Sequence, residues 1–161
     1  HGTIMDGEVL ALMKKHGTYY IPTISAGMFV AEKAKQKGYY PQIIVPKALE
    51  IGPRLLNTFT TAYKFGIKIA FGTDSGVSYH GDNAKEFFYM VKGGMSEMEA
   101  IRSATVIASE MLDINDKLGS IESGKLADII AVKGNPIKDI TFLQEVVFVM
   151  KEGKIYKSNI D

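Results

Sequence analysis

The chain has 161 residues, of which 46% are hydrophobic and 23% charged, the proportions of a globular protein able to bury one ordinary core. A net charge of +1 without a basic block gives no electrostatic footprint for nucleic acid or an anionic membrane. The absence of cysteine excludes disulfides, thiolate metal sites and a cysteine nucleophile, and no apolar run is long enough for a membrane-spanning helix. A cytoplasmic location is the expectation, with an upstream signal peptide left open.

His1-Gly2-Thr3 opens without an initiator Met, so a piece of a longer protein is expected. Residues 6 to 16 read as a helix: Asp6 can cap it, Val9, Leu12 and Met13 form an apolar stripe, and Gly17 ends it. Thr18 to Ile21 reads as a strand stopped at Pro22-Thr23. Residues 25 to 41 read as a long connection with a short helix near 30–37, serving as surface packing or as a substrate lid. Residues 46 to 65 are helical in pattern, with Gly52-Pro53 either kinking one helix or separating two.

An apolar strand follows, Ile67-Lys68-Ile69-Ala70-Phe71, ending in Gly72-Thr73-Asp74-Ser75-Gly76. Alternating helices and strands argue for a parallel sheet covered by helices. A carboxylate at the C-terminal end of a barrel strand points into the mouth where chemistry occurs, which singles out Asp74. A polar loop with Tyr79, His80, Asp82 and Asn83 leads to a helix near 84–92. Ser96 and Glu99 then form a capping box for a helix whose expected buried face is Met98, Ile101, Thr105, Ala108 and Leu112.

The character changes between 113 and 118. A strand at Asp128 to Val132 and a hairpin turning at Glu152-Gly153 suggest a small β module. Two clear barrel-type strands are legible before it, three if His1 ends another, whereas a closed eight-stranded barrel takes roughly 250 residues.

The order His-Gly-Thr, Gly-Thr-Asp-Ser-Gly, and the run Leu118-Gly119-Ser120-Ile121-Glu122-Ser123-Gly124-Lys125-Leu126-Ala127-Asp128-Ile129 resembles the amidohydrolase superfamily. Within it, the chain looks like the imidazolonepropionase-related branch of Xaa-Pro dipeptidases and Xaa-Arg carboxypeptidase-like enzymes. The resemblance implies the C-terminal part of an α/β enzyme: residues 1–115 as the last strands and helices of a (β/α)8 TIM barrel, and 116–161 as part of a composite β-sandwich. It implies that His1 and Asp74 are metal ligands, with Asp74 also handling the proton of the attacking water. The implied cofactor is a divalent metal, zinc, as one or two ions in the complete enzyme.

The implied reaction is hydrolysis of C–N bonds in dipeptides or N-acyl amino acids. A deaminase, a cyclic amidohydrolase and a catalytically incompetent scaffold stay open as alternatives. The family's His-x-His pair and its other ligands are not among these residues; His1, His16 and His80 are the only histidines. The expected partners are a small amide substrate and the rest of the barrel, with a homo-oligomer left open. Alone, the chain should bind metal poorly, fail to turn over and associate through open strand edges.

His80 follows Asp74 in the loop and can meet a substrate carboxylate or orient Asp74; a solvated loop histidine is the alternative. His16 reads as a helix-end surface residue. Thr73 and Ser75 read as turn residues, Lys125 and Asp128 as structural residues of the β module, and the methionines as core fillers.

Overall fold

The computed structural model describes residues 1–159. Its elements are α1 (Gly7–His16), β1 (Tyr19–Tyr20), α2 (Ile24–Ala34), α3 (Val45–Phe65), β2 (Lys68–Ile69), α4 (Lys85–Lys92), α5 (Glu97–Ala104), α6 (Val106–Met111), β3 (Ile129–Val132), a 3-10 turn (Ile140–Gln144), β4 (Val146–Lys151) and β5 (Lys154–Ser158).

α1 forms where its caps direct. Asp6 Oδ1 accepts the Val9 N–H at 2.9 Å, and Gly17, at φ 64°, donates back to the Lys14 carbonyl. The buried line differs from the expected stripe: Leu10 is buried with Met13 packed beside it, while Val9 and Leu12 are exposed. Leu10 and Met13 lie three residues apart and form a single row against the core that holds Tyr20, Ile67 and Ile69.

β1 and β2 pair in parallel, Tyr19 opposite Lys68 and Tyr20 opposite Ile69, and the ladder continues with the Ala70 N–H on the Tyr20 carbonyl at 3.0 Å. The two strands are joined through α2 and α3, as parallel neighbours must be joined by a crossover. The α2 helix begins well before the expected 30–37. Its first amides, Ile24 and Ser25, donate to the two carboxylate oxygens of Glu86 at 2.9 and 2.7 Å. That cap arrives from α4, and Thr23, the one local start signal, does not bond the helix.

α3 runs unbroken through Gly52-Pro53 and crosses α2 at closest approach between two glycines. A Cβ on Gly52 would sit 2.9 Å from the Gly27 carbonyl oxygen. Phe59, fully buried on α3, meets Met90 and Met95 in the core.

The expected long helix after Ser96 is two helices. The capping box forms in full, but the backbone breaks at Thr105 (φ −120°, ψ −90°). A competing donor lies at the break: the Phe71 N–H, two residues past β2, takes the Ser103 carbonyl at 3.0 Å. Ala100, Ser103 and Ser109 are the buried residues, whereas Met98, Thr105 and Leu112 of the expected buried face are exposed. Ile101, Thr105, Ala108 and Leu112 face an open apolar cavity of about 670 Å³, shared with Leu126 and Ile130.

The β module is a three-stranded antiparallel sheet in the order β3-β4-β5. The hairpin turn places Glu152 at φ 50° and Gly153 at φ 77°, the left-handed pair that suits the twist of the flanking strands. Asp128 precedes β3 rather than joining it, because its carboxylate accepts the Glu152 N–H at 2.8 Å and Lys151 Nζ at 3.2 Å. Those bonds hold the Asp128 carboxyl below the usual carboxylate range, the Glu152 N–H contributing most. Lys125 Nζ bonds Ser120 Oγ at 2.5 Å. Both residues therefore do structural work, as their positions imply. The 3-10 turn packs on α4 and buries Ile140.

Candidate active site

The residues after β2 are shaped by what surrounds them. A Cβ at Gly72 would collide with the side chain of Ile21, the residue just past β1. Asp74 adopts φ 52°, a left-handed conformation uncommon outside glycine, at a cost of roughly 1–3 kcal/mol for a non-glycine residue. The turn is closed by the Val77 N–H on the Asp74 carbonyl and the Gly76 N–H on the Ser78 carbonyl, each at 3.1 Å. Thr73 Oγ1 and Ser75 Oγ are 3.1 Å apart, and Asn83 Nδ2 donates to Thr73 at 3.4 Å. These hydroxyls hold the turn, and the Asp74 side chain is left 44% exposed.

His1 arrives on the same side. Gly2, at φ 53°, lets the backbone pass over Tyr20, and Thr58 Oγ1 donates to the Thr3 carbonyl at 2.9 Å to anchor the segment. The imidazole is held at one edge, Nδ1 lying 2.6 Å from Thr23 Oγ1. Its other nitrogen, Nε2, stands 3.6 Å from Asp74 Oδ2. When Nδ1–H donates to Thr23, Nε2 presents its lone pair toward Asp74.

This pair suits a metal. Ligand bonds of about 2.0–2.1 Å on one tetrahedral ion place nitrogen and oxygen roughly 3.3–3.4 Å apart. Among the described residues no group of three or more His, Cys, Asp or Glu side chains lies together. The chain therefore supplies two neighbouring donors, fewer than the three protein ligands usual for catalytic zinc.

His80 is exposed in the loop beyond Asp74 and, among the described residues, makes no hydrogen bond or ion pair with His1 or Asp74. His16 is exposed at the end of α1, away from the pair.

Three features were not singled out from sequence. Glu86 is fully buried; burial raises its pKa, against the opposing effect of the N–H groups that it accepts. Its spacing to Met90, four residues on, was the available signal, since it puts an acid on the buried face of α4. Tyr20 has a buried hydroxyl without a hydrogen-bond partner among the described residues, and its pKa is raised by burial and by the Glu86 charge. Lys33 Nζ lies over the rings of Phe29, Tyr39 and Tyr79 at 5.3, 5.4 and 5.5 Å, tying α2 and the segment after it to the loop beyond Asp74. Phe29 and Lys33 are four residues apart on α2, but no regular spacing joins them to Tyr39 and Tyr79.

The sequence profile of the amidohydrolase family matches residues 1–156. The chain is 34% identical over 163 residues to an ochratoxinase of Aspergillus niger, covering 98% of this chain and 33% of the relative. It superimposes on the crystal structure of a Xaa-Pro dipeptidase with methionine bound in the active site at a TM-score of 0.94 and 59% identity, covering 98% of this chain and 39% of that one. A prolidase complexed with N-methylphosphonate-L-proline aligns at a TM-score of 0.86 and 27% identity, over 99% of this chain and 40% of that one. The chain thus spans about a third of the curated relative and about two fifths of the solved chains.

Proposed function

The chain belongs to the amidohydrolase family, and from that premise we propose that the complete protein is a metal-dependent hydrolase of amide or peptide C–N bonds in dipeptides or N-acyl amino acids. The observation that carries the reading is the facing pair His1 Nε2 and Asp74 Oδ2, 3.6 Å apart at the end of a parallel strand. In this reading residues 1–115 form the last strands and helices of a (β/α)8 barrel, and 116–161 part of a β-sandwich. The parallel β1–β2 pair and the separate antiparallel β3-β4-β5 sheet support that division. Within this class the Xaa-Pro dipeptidase and prolidase likenesses favour dipeptides with proline on the leaving side.

His1 and Asp74 would hold a divalent ion, zinc in this proposal, with the remaining ligands contributed by residues outside this chain. Bound there, the ion supplies a Lewis acid that acidifies water and polarises the scissile carbonyl. The protein's part is then proton handling. Oδ2 of Asp74 faces His1, and Oδ1 takes the proton of the attacking water. The same oxygen returns the proton to the leaving nitrogen, so that a neutral amine departs. Thr23 holds the imidazole so that the Nε2 lone pair stays free to ligate. His80, on the loop beyond Asp74, is proposed to receive the substrate carboxylate.

The test is metal analysis of the full-length protein together with a panel of Xaa-Pro and other dipeptides and N-acyl amino acids. We expect at least one equivalent of divalent metal and metal-dependent turnover of one substrate class. A purified, folded full-length protein that takes up no metal and cleaves none of the panel removes the reading.

A further inference from the structure

A helix ordinarily has one of its first N–H groups, that of the second or third residue, satisfied by the hydroxyl or carboxylate of the residue at its N-cap, in an extended backbone conformation. Thr23 is the N-cap of α2 and carries a suitable hydroxyl. It does not cap: its backbone is left-handed, at φ 51° and ψ 44°, and its side chain makes no bond to the helix. The hydroxyl is turned instead to His1 Nδ1, at 2.6 Å. The Ser25 N–H, which Thr23 could have capped, goes instead to Glu86 Oε2 at 2.7 Å, and the Ile24 N–H goes to Oε1 at 2.9 Å. Glu86 is fully buried, though an ionisable side chain is rarely found so deep without a specific partner.

We infer that Glu86 is a positioning residue for His1: by capping α2 from α4 it releases the Thr23 hydroxyl from the helix and assigns it to the imidazole. The purpose of the burial follows. A carboxylate brought by the core fixes the start of α2 and the left-handed turn at Thr23 in one geometry, without using the side chain that must face the site. Buried hydrogen-bond networks of this kind hold an orientation because each member has one good arrangement. Without the Glu86 cap, the orphaned Ser25 amide would draw the Thr23 hydroxyl back to its own helix, and His1 would lose its anchor.

The inference rests on the metal-hydrolase reading for its functional consequence, and on hydrogen-bond geometry alone for its structural one, so it is tested in two arms on the full-length protein. In the first, the imidazole nitrogen shifts of His1 are measured by 15N NMR on metal-free protein, the signal being assigned by its loss in His1→Gln. Wild type should show one dominant tautomer. Glu86→Gln, which keeps the shape but replaces one acceptor oxygen by an amide donor, should shift His1 toward a mixture, and Thr23→Val should do the same. Glu86→Asp, whose carboxylate is one methylene short of α2, carries the comparison where Glu86→Gln does not fold.

In the second arm, zinc affinity and kcat per folded molecule should each fall about 10–100-fold in the Glu86 variant, with KM little changed. The double variant Glu86→Gln/Thr23→Val should be no worse than the poorer single one, because both act on the same bond. A helix cap with a purely structural role would lower Tm and leave the His1 shifts, zinc affinity and kcat per folded molecule as in wild type; that result overturns the inference. So does full additivity of the two substitutions. A wild type that binds no zinc and cleaves no substrate overturns the metal-hydrolase reading, while the NMR arm still decides the role of Glu86.

Discussion

The ring of Tyr20 lies directly against the backbone of Gly2: a Cβ at Gly2 would stand 2.8 Å from Tyr20 Cε2 and 3.0 Å from Met5 Cε. Gly2 also sits at φ 53°, where an L side chain costs about 1–2 kcal/mol. Gly2→Ala should therefore displace the segment that carries His1. In the full-length protein we expect a lowered Tm and zinc affinity weakened tenfold or more, measured by thermal unfolding and metal titration. Unchanged zinc affinity would uncouple the Gly2–Tyr20 contact from the site.

Asp74→Asn keeps the size of the side chain and removes its charge and basicity. Asparagine tolerates the left-handed backbone that Asp74 occupies, so the fold should persist. Loss of a general base alone lowers turnover by about 10²–10⁴-fold, and loss of a ligand adds to it. The expected result is near-abolition of kcat with a wild-type circular dichroism spectrum. Turnover within threefold of wild type would remove Asp74 from the mechanism.

His80 is exposed in the loop beyond Asp74, free to meet substrate. If it receives the substrate carboxylate, His80→Ala should raise KM severalfold with kcat largely retained, and substrates whose carboxylate is amidated should not distinguish the variant from wild type. Equal KM values for the free carboxylate in both proteins would make His80 a solvated loop residue.

Much of this was legible from local chemistry. Asp6 and Gly17 bound α1, Ser96 and Glu99 open α5, and Glu152-Gly153 turns the hairpin, because each signal acts within a few residues. Asp74 could be picked out for a similar reason, since a strand followed by Gly-Thr-Asp-Ser-Gly must turn there. What was not legible depends on partners far along the chain. The start of α2 is set by Glu86, more than sixty residues away, and the break between α5 and α6 lies where Phe71 bonds Ser103. The His1–Thr23 contact likewise joins segments with no shared pattern. The face of Ile101, Ala108 and Leu112 was visible as apolar, but its periodicity could not say that it would look into a cavity rather than against a neighbour.

That cavity bears on how the chain behaves alone. Leu112, Ile121 and Ile130 are 60%, 85% and 56% exposed around it, and among the described residues the parallel sheet has two strands. Contiguous apolar surface and open strand edges favour association. The 161-residue chain expressed by itself should elute as oligomer or aggregate in size-exclusion chromatography with light scattering. A monodisperse monomer that unfolds cooperatively would show that these surfaces need no cover.

The Tyr63–Glu99 contact predicts a two-sided pH window. Tyr63 donates to Glu99 Oε2 at 2.8 Å while Glu99 also caps α5. Glu99 is held below its usual pKa, first by the Ser96 hydroxyl and then by Tyr63, and Tyr63 is raised, first by its bond to Glu99. A lowered carboxyl contributes stability that is present above its unfolded value, about 4.3, and is lost as pH falls through the folded one. A raised phenol contributes stability that is present below about 10 and is lost as pH rises through its folded value. Glu99→Gln retains a capping-box side chain but removes the charge. The Tm difference between wild type and Glu99→Gln should therefore favour wild type at neutral pH and shrink toward both extremes. Both groups are near the surface, so the difference should also fall with added salt. A difference that is flat from acid to alkali would show that the charge of Glu99 contributes nothing beyond its shape.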